Sequence, residues 1–220
     1  MILEIPDLLT PQEITHLRSV AAGSTFVDGR ISNPHNKAKN NQQIDHASSG
    51  YAESTKILKD AILRNESFRN FTIPSRLAPP LLCKYNEAMS YGVHNDHAFL
   101  AMSNQLPLRS DLSITIFLTD PSTYDGGELV IHLESMPVPI KLAAGSAVIY
   151  PSTTLHEVAK VTRGQRLVAI TFVESQFQDE SQRYMLYLLG EVAALEGLTM
   201  KHENRVRLEL VRANLQRMWC

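Results

Sequence analysis

The sequence predicts an α+β protein, mainly β, whose core is a jelly roll with helices before and after it. Three observations support this fold class. Residues 80–176 break into short apolar runs separated by turn signals, residues 1–79 contain helical patterns and polar loops, and helical periodicity returns after Glu174. We therefore divide the chain into an N-terminal support region of helix and loop (1–79), a jelly-roll domain (80–176) and a C-terminal helical extension (177–220).

The jelly-roll prediction depends on about eight strands in the central region. One of them alternates clearly, with Leu112, Ile114 and Ile116 on one face and Ser113 and Thr115 on the other. Eight short antiparallel strands in about 100 residues are typical of a jelly roll, and the mouth of such a barrel is a usual ligand site. The predicted strands are 80–86, 90–96, 111–119, 127–133, 137–142, 146–150, 155–161 and 166–174.

The flanking regions carry helix signals of different quality. Thr10 and Glu13 form a capping box around a proline at the first helical position, so a helix should begin there. A second helix is predicted from Ser49 to Asn65, whereas Phe26 to His46 lacks periodicity and is interpreted as loop. Two C-terminal helices, separated by a glycine, offer a candidate interface for a homo-oligomer; their apolar stripes are Tyr184, Leu188, Val192 and Leu195, and Leu208, Val211, Leu215 and Met218.

Composition excludes several function classes. The chain has 220 residues, 44% of them apolar, a net charge of -2 and no long basic run, so a nucleic-acid partner is not expected. Cys83 and Cys220 are the two cysteines, and they are not expected to pair, which favours a reducing compartment. The N-terminus lacks the pattern of a signal peptide or a membrane span. We therefore expect a cytoplasmic protein without a membrane partner.

A candidate metal site lies in the central region. His94 and Asp96 are two residues apart, so on a strand both side chains point to the same face. His156, arriving from a distant strand, completes a set of two imidazoles and one carboxylate, which leaves open positions in the manner of non-haem Fe(II) oxygenases. A His-x-Asp pair alone is more often a solvated loop or a structural hydrogen bond. His156 and Arg166 at plausible positions favour metal binding.

The combined motifs resemble a known family. The sequence contains Tyr85-x5-Tyr91-x2-His94-x-Asp96, Asp125-Gly126-Gly127-Glu128-Leu129, Gly145-x-Ala147-Val148-Ile149-Tyr150-Pro151 and His156-x9-Arg166. This pattern is similar to the prolyl-hydroxylase-like branch of the Fe(II)/2-oxoglutarate dioxygenases. The strings Lys39-Asn40-Asn41-Gln42-Gln43 and Thr119-Asp120-Pro121 resemble the bacterial PKHD-type hydroxylases more closely. One departure is His97, which follows Asp96 where a small residue is expected.

The resemblance implies an Fe(II)- and 2-oxoglutarate-dependent hydroxylase. Fe(II) would be held by His94, Asp96 and His156, and Arg166 would bind the distal carboxylate of 2-oxoglutarate through a bidentate fork. Dioxygen would be consumed, succinate and carbon dioxide released, and L-ascorbate would serve as reductant. Tyr85 is a candidate hydrogen-bond donor to 2-oxoglutarate, with a purely structural core position as an equal alternative.

The sequence does not decide between two function classes, nor does it identify a substrate. The rival to the hydroxylase is a cupin-like metal-binding barrel that acts as an isomerase or a ligand sensor. The substrate of a hydroxylase could be a small molecule, linked through the resemblance to iron uptake, or a peptidyl residue. The connection 97–110 is a candidate substrate-selecting loop, with a solvated linker as its alternative. His97 is expected in a supporting or exterior position rather than as a metal ligand.

Overall fold

The computed structural model describes residues 1–102, 105–133 and 136–220, and all eight predicted central strands are present within them. The strands are β1 Leu3–Ile5, β2 Phe26–Asp28, β3 Lys39–Asn40, β4 Gln42–Ile44, β5 Pro74–Leu77, β6 Leu81–Tyr85, β7 Ser90–His94, β8 Phe99–Leu100, β9 Leu108–Arg109, β10 Leu112–Phe117, β11 Leu129–Leu133, β12 Met136–Ile140, β13 Ala147–Pro151, β14 His156–Val158 and β15 Arg166–Ser175. The helices are α1 Pro11–Gly23, α2 Ser49–Arg64, α3 Glu66–Thr72, α4 Glu180–Glu196 and α5 His202–Trp219. The expected mainly β fold with flanking helices is confirmed.

Two antiparallel sheets form the body of the fold. The larger sheet has the order β1-β13-β10-β15-β6-β4-β2, with β5 added beside β15, and the smaller sheet has the order β12-β11-β14-β7-β3. Apolar side chains from both sheets meet in one core cluster, to which Phe117 and Val168 belong from the larger sheet and Leu129 and Val158 from the smaller one. The inner faces of the sheets therefore pack on each other, as in a jelly roll.

Helices α1, α2 and α3 cover the outer face of the larger sheet. A second core cluster joins Leu17 of α1, Leu58 of α2 and Phe68 of α3 to strand residues such as Ile114 and Ile149. The predicted capping box starts α1, because Glu13 N–H donates to Thr10 Oγ1 and Thr10 N–H donates to Glu13. Because the helices occupy the outer face of the larger sheet, the side chains on its opposite face point to the inner cluster and to the site.

Strand β10 has two buried faces of different character. Leu112, Ile114 and Ile116 belong to the helix-side core, as the pattern predicted. Ser113 and Thr115, on the other face, are also buried, so the polar face does not meet solvent. A buried polar face needs partners, which indicates a functional role for the space between the sheets.

One part of the prediction was wrong in local detail. The segment Phe26 to His46, interpreted as loop, contains β2, β3 and β4, because β3 pairs with β7 and β4 pairs with β6. These strands are only 2 or 3 residues long, too short to show periodicity. The predicted stripe on α4, formed by Tyr184, Leu188, Val192 and Leu195, is exposed, and its role as an interface stays a prediction. No helix within the described residues is long and apolar enough to cross a membrane.

The turn before β11 supplies a stability test. Gly126 has φ +70°, and a Cβ built there lies 2.0 Å from the carbonyl oxygen of Lys160. Gly126→Ala should lower the free energy of unfolding by at least about 2 kcal/mol, or about 4–8 °C in Tm, because both the backbone conformation and the contact are unfavourable. Thermal unfolding followed by circular dichroism measures the change.

The matched control is Gly23→Ala at the end of α1, where an added Cβ has no heavy atom within 4 Å. This substitution should leave Tm unchanged or raise it, because alanine is the better helix former. Equal Tm values for the two variants would contradict the assigned turn geometry.

Candidate metal centre

A cavity of about 170 Å³ opens between the two sheets. Residues of β6, β10 and β15 line it from the larger sheet, and residues of β3, β7 and β14 line it from the smaller one. His94, Asp96, His156, Arg166 and Tyr85 all line this cavity. The structure therefore brings together every site residue that the sequence predicted, although their roles stay predictions.

Strand pairing positions the two histidines. His94 ends β7, His156 begins β14, and the two are direct partners across the antiparallel pair. Their ring centroids lie 4.3 Å apart. Asp96 lies just beyond the end of β7 rather than on the strand, so the predicted 90–96 strand is two residues too long. Its Oδ2 is 3.7 Å from His156 Nε2, and one donor atom from each of the three residues lies within 4.8 Å of the others.

Backbone carbonyls fix the tautomer of both imidazoles. His94 Nδ1 lies 2.8 Å from the carbonyl oxygen of Gly92, and His156 Nδ1 lies 2.9 Å from that of Thr154. A carbonyl can only accept, so each Nδ1 carries the hydrogen and each Nε2 keeps a lone pair for an ion. Burial and the neighbouring His156 lower the pKa of His94 to about 4, which keeps that ring neutral near pH 7.

A chain of serine hydroxyls orients Asp96. Ser113 Oγ donates to Asp96 Oδ2 at 2.5 Å, and Ser152 Oγ lies 2.7 Å from Ser113 Oγ. Ser110 Oγ in turn donates to Ser152 Oγ at 2.8 Å. All three serines are buried, so their hydroxyls bond to one another, and the chain ends on this carboxylate through Ser113. Sequence reasoning missed them; the only signal was the position of Ser113 on the polar face of β10.

Arg166 is a buried cation without an anion. Its side chain is 1% exposed, and among the described residues no carboxylate lies within 4.0 Å of its guanidinium. Its Nε atom also lacks a hydrogen-bond partner in the described part of the chain. The guanidinium carbon lies 5.0 Å from the ring centroid of Tyr85 and 5.7 Å from that of Phe117. Such an arrangement is costly unless an anion enters the cavity.

The neighbouring aromatic residues support this site. Tyr85 is the cross-strand partner of Arg166, and burial raises the pKa of its hydroxyl. Tyr85 belongs to the inner core and also lines the cavity, so its position is compatible with either alternative, and its contact to 2-oxoglutarate stays a prediction. Tyr91 stacks on His94 with ring centroids 3.6 Å apart. His97 is exposed and lines the cavity, in agreement with an exterior position.

Two further basic residues lie in or near this region. Arg163, three positions before Arg166, is exposed and pairs with Asp125. Lys39 was named in the sequence only as part of the string Lys39-Asn40-Asn41-Gln42-Gln43 and was given no role in the site, yet it is buried and lines the same cavity. Burial lowers the pKa of its ammonium group. The region around Lys39 was interpreted as loop, which explains why its burial was not predicted. Ser103 and Asn104 of the candidate 97–110 loop lie outside the described residues.

The donor set suits Fe(II). Two neutral imidazoles and one carboxylate occupy one side of an ion and leave room on the other side for further ligands. The unpaired Arg166 in the same cavity fits an anionic cosubstrate. A cupin-like site usually contains more histidines; among the described residues, the metal-compatible cluster contains only His94, Asp96 and His156.

Comparisons with known proteins agree with this geometry. The sequence profile of the 2OG-Fe(II) oxygenase superfamily matches residues 81–174. A PKHD-type hydroxylase of Sphingopyxis alaskensis is 48% identical over 98% of both chains. Two solved structures share the fold. One is a prolyl hydroxylase of Trichoplax adhaerens in complex with a hypoxia inducible factor peptide fragment, with a TM-score of 0.60 and 16% identity over 84% of this chain and 86% of that one. The other is HygX of Streptomyces hygroscopicus with nickel, 2-oxoglutarate and hygromycin B bound, with a TM-score of 0.55 and 16% identity over 80% of this chain and 84% of that one.

The relationship to the Sphingopyxis protein extends over nearly the whole chain, and the superfamily match includes the strands that carry the two histidines and Arg166. These findings decide between the two function classes left open by the sequence, and they exclude the cupin-like barrel. The chain belongs to the PKHD-type hydroxylases within the 2OG-Fe(II) oxygenase superfamily, and it is a 2-oxoglutarate-dependent hydroxylase.

Proposed function

We propose that His94, Asp96 and His156 hold Fe(II) and that Arg166 binds the distal carboxylate of 2-oxoglutarate. The observation that carries this assignment is the buried, unpaired guanidinium of Arg166 in the same cavity as the His94–Asp96–His156 cluster. A planar fork matches a carboxylate with two parallel hydrogen bonds, which a lysine cannot supply. Tyr85, across the strand pair from Arg166, is proposed as a second contact to 2-oxoglutarate.

The residues of the chain prepare this reaction in three ways. The carbonyl oxygens of Gly92 and Thr154 hold both imidazoles with Nε2 free, and Ser113 holds one oxygen of Asp96. Ile170 and Phe172 form an apolar wall of the cavity, which limits the access of water. Bound Fe(II) supplies dioxygen activation, in which one oxygen atom enters a substrate C–H bond and the other enters succinate as 2-oxoglutarate loses carbon dioxide.

The substrate is proposed to be a small molecule. In support, the fold is shared with HygX, which was solved with hygromycin B, although it is also shared with a prolyl hydroxylase solved with a peptide fragment. A link to iron uptake, the use of ascorbate and a cytoplasmic location stay predictions. A search by mass spectrometry for a product heavier by one oxygen atom, in metabolite extract with Fe(II), 2-oxoglutarate and ascorbate, tests the substrate class directly.

We further propose that the C-terminal helices join two copies of the chain. Tyr184, Leu188, Val192 and Leu195 of α4 are exposed along one helical stripe, and no residue of α5 is buried. Contiguous apolar surface of this kind is typical of an interaction site. Interfaces between identical subunits are usually self-complementary and apolar.

The proposed iron ligands should each be indispensable. His94→Ala, Asp96→Ala and His156→Ala should reduce succinate release to background, because three ligands leave no redundancy at the site. Thermal unfolding of the metal-free variants should stay within about 2–4 °C of the parent, since the two apolar clusters are untouched. The control is His35→Ala, an exposed histidine outside the cavity, which should keep full activity. Activity retained in any of the three variants would remove that residue from the ligand set.

Arg166→Ala should weaken 2-oxoglutarate binding by about two to four decades, because loss of one partner of a buried ion pair costs roughly 3–5 kcal/mol. Arg166→Lys should recover only part of the loss, because the ammonium keeps the charge without the planar fork. Anaerobic titration of the iron-loaded protein, followed by the visible charge-transfer band of chelated 2-oxoglutarate, measures the affinity.

The matched control for this titration is Arg163→Ala. Arg163 is three positions away, exposed and paired with Asp125, so its removal should leave the affinity for 2-oxoglutarate unchanged. An affinity of the Arg166→Ala variant within threefold of the parent would contradict the assignment of Arg166.

The interface proposal predicts a change of mass in solution. The parent protein should scatter light as twice its chain mass of 24.6 kDa. Leu195→Arg places a charge on the 79% exposed end of the α4 stripe and should give monomers, whereas Leu106→Arg, at an equally exposed site outside these helices, should not. A monomeric parent, or a dimer unaffected by Leu195→Arg, would contradict the proposal.

A further inference from the structure

Lys39 is a second buried cation in the cavity. Its side chain is 8% exposed, and it lies on β3 directly opposite Tyr91 of β7. Its Nζ lies 5.3 Å from the centroid of the Tyr91 ring, and that ring stacks on the imidazole of His94. Lys39 is therefore separated from the proposed iron site by one aromatic ring.

The ammonium group of Lys39 is not neutralised within the described residues. Of its three hydrogens, one is donated to Ser32 Oγ at 2.7 Å, and no carboxylate lies within 4.0 Å of Nζ in this part of the chain. The nearby carboxylates have other partners. Asp28 pairs with Arg30, and Asp96 accepts from Ser113 and lies beside His156. Since a buried charge is costly without a counter-charge, Lys39 needs an anion that the chain does not supply.

When Fe(II) and 2-oxoglutarate are bound, the positive charge of Lys39 is not balanced by a negative charge. Fe(II) and Arg166 together carry three positive charges, and Asp96 and the two carboxylates of 2-oxoglutarate carry three negative charges. These groups balance, so the positive charge of Lys39 remains after metal and cosubstrate have bound. The anion that completes the cavity must then come with the substrate.

The surroundings of Lys39 favour one negative charge and oxygen acceptors. Asn33 lines the cavity beside it and adds an amide, whereas Ser32 Oγ already accepts from Lys39 and donates to the carbonyl oxygen of Gly29. Arg166 is already assigned to 2-oxoglutarate. A phosphate group is usually bound by several cations or backbone amides together, whereas a single lysine acts as a point charge. One ammonium with polar neighbours therefore suits a carboxylate better than a phosphate.

We propose that Lys39 binds a carboxylate of the substrate and so makes this enzyme selective for carboxylic acids. The inference rests on the proposed function, because it assigns Arg166 to 2-oxoglutarate and the iron to the His94–Asp96–His156 cluster. Lys39 is a substrate-binding residue in this assignment, and it does not take part in the chemical step. The carboxylate held at Nζ anchors the substrate beside Tyr91, with the reacting C–H bond directed towards the iron site.

Acetate, with acetamide as its neutral counterpart, tests for the anion site without knowledge of the substrate. In the anaerobic complex with Fe(II) and saturating 2-oxoglutarate, acetate at several times its Kd should raise Tm by about 2–4 °C over equal ionic strength of sodium chloride. Acetamide should give no shift, and Lys39→Met should abolish the shift by acetate. Lys37→Met, at an exposed lysine two positions away, should keep it.

The second measurement uses metabolite extract and separates the two carboxylate sites. Lys39→Met should keep the affinity for 2-oxoglutarate within about twofold of the parent but lower formation of the oxygenated product at least tenfold. Lys39→Arg should retain part of this activity. Extract whose carboxylates were first converted to methyl amides should give no product with the parent enzyme.

Three results would overturn the assignment of Lys39 to a substrate carboxylate. A tenfold loss of 2-oxoglutarate affinity in Lys39→Met would make Lys39 a cosubstrate residue and overturn the inference. Unchanged acetate response and unchanged product formation would reduce Lys39 to a structural partner of Ser32, which also overturns it. If the parent protein itself shows no charge-transfer band with Fe(II) and 2-oxoglutarate, the proposed function fails, and this inference fails with it.

Discussion

The antiparallel pairing of β7 with β14 is the interaction on which the site depends. It makes His94 and His156 direct partners, so that two histidines far apart in the chain present their rings to one point. Side chains of such a pair lie on the same face about 4.5–5.5 Å apart, which is close enough for one ion. Asp96 follows two residues after the strand, where the chain is free to turn its carboxylate back, and Ser113 of the opposite sheet holds it there.

Uncompensated positive charge is the second organising feature of the cavity. Arg166 and Lys39 enter from different sheets, both buried, and in the described residues neither has a carboxylate partner. In most folds such residues would lower the stability of the protein, because a buried charge loses its hydration and gains no ion pair in exchange. Here the cost is consistent with a site that is completed only when anions bind, since the ion pairs then form in a place from which water is largely excluded.

The two faces of the larger sheet have different roles, which explains how the fold supports this site. One face binds α1, α2 and α3 through a continuous apolar cluster and supplies rigidity. The other face carries polar residues such as Ser113 and Thr115 into the cavity, where they would be unfavourable without partners. The stability of the fold is therefore supplied mainly by the helix side, and the inner side tolerates buried polar and charged groups that serve the chemistry.

The sequence alone determined the features that short-range pattern encodes. These are the capping box at Thr10, the alternation of β10 and the His94-x-Asp96 spacing, because each depends on residues a few positions apart. Only the tertiary structure decided the strands of 26–44, the serine chain at Asp96, the burial of Lys39 and the exposure of the α4 stripe. Strands of two or three residues have no periodicity, and they form because β6 and β7 offer them hydrogen-bonding edges. The burial of a residue likewise depends on which distant element packs on it, and the adjacent residues in the sequence do not determine that packing.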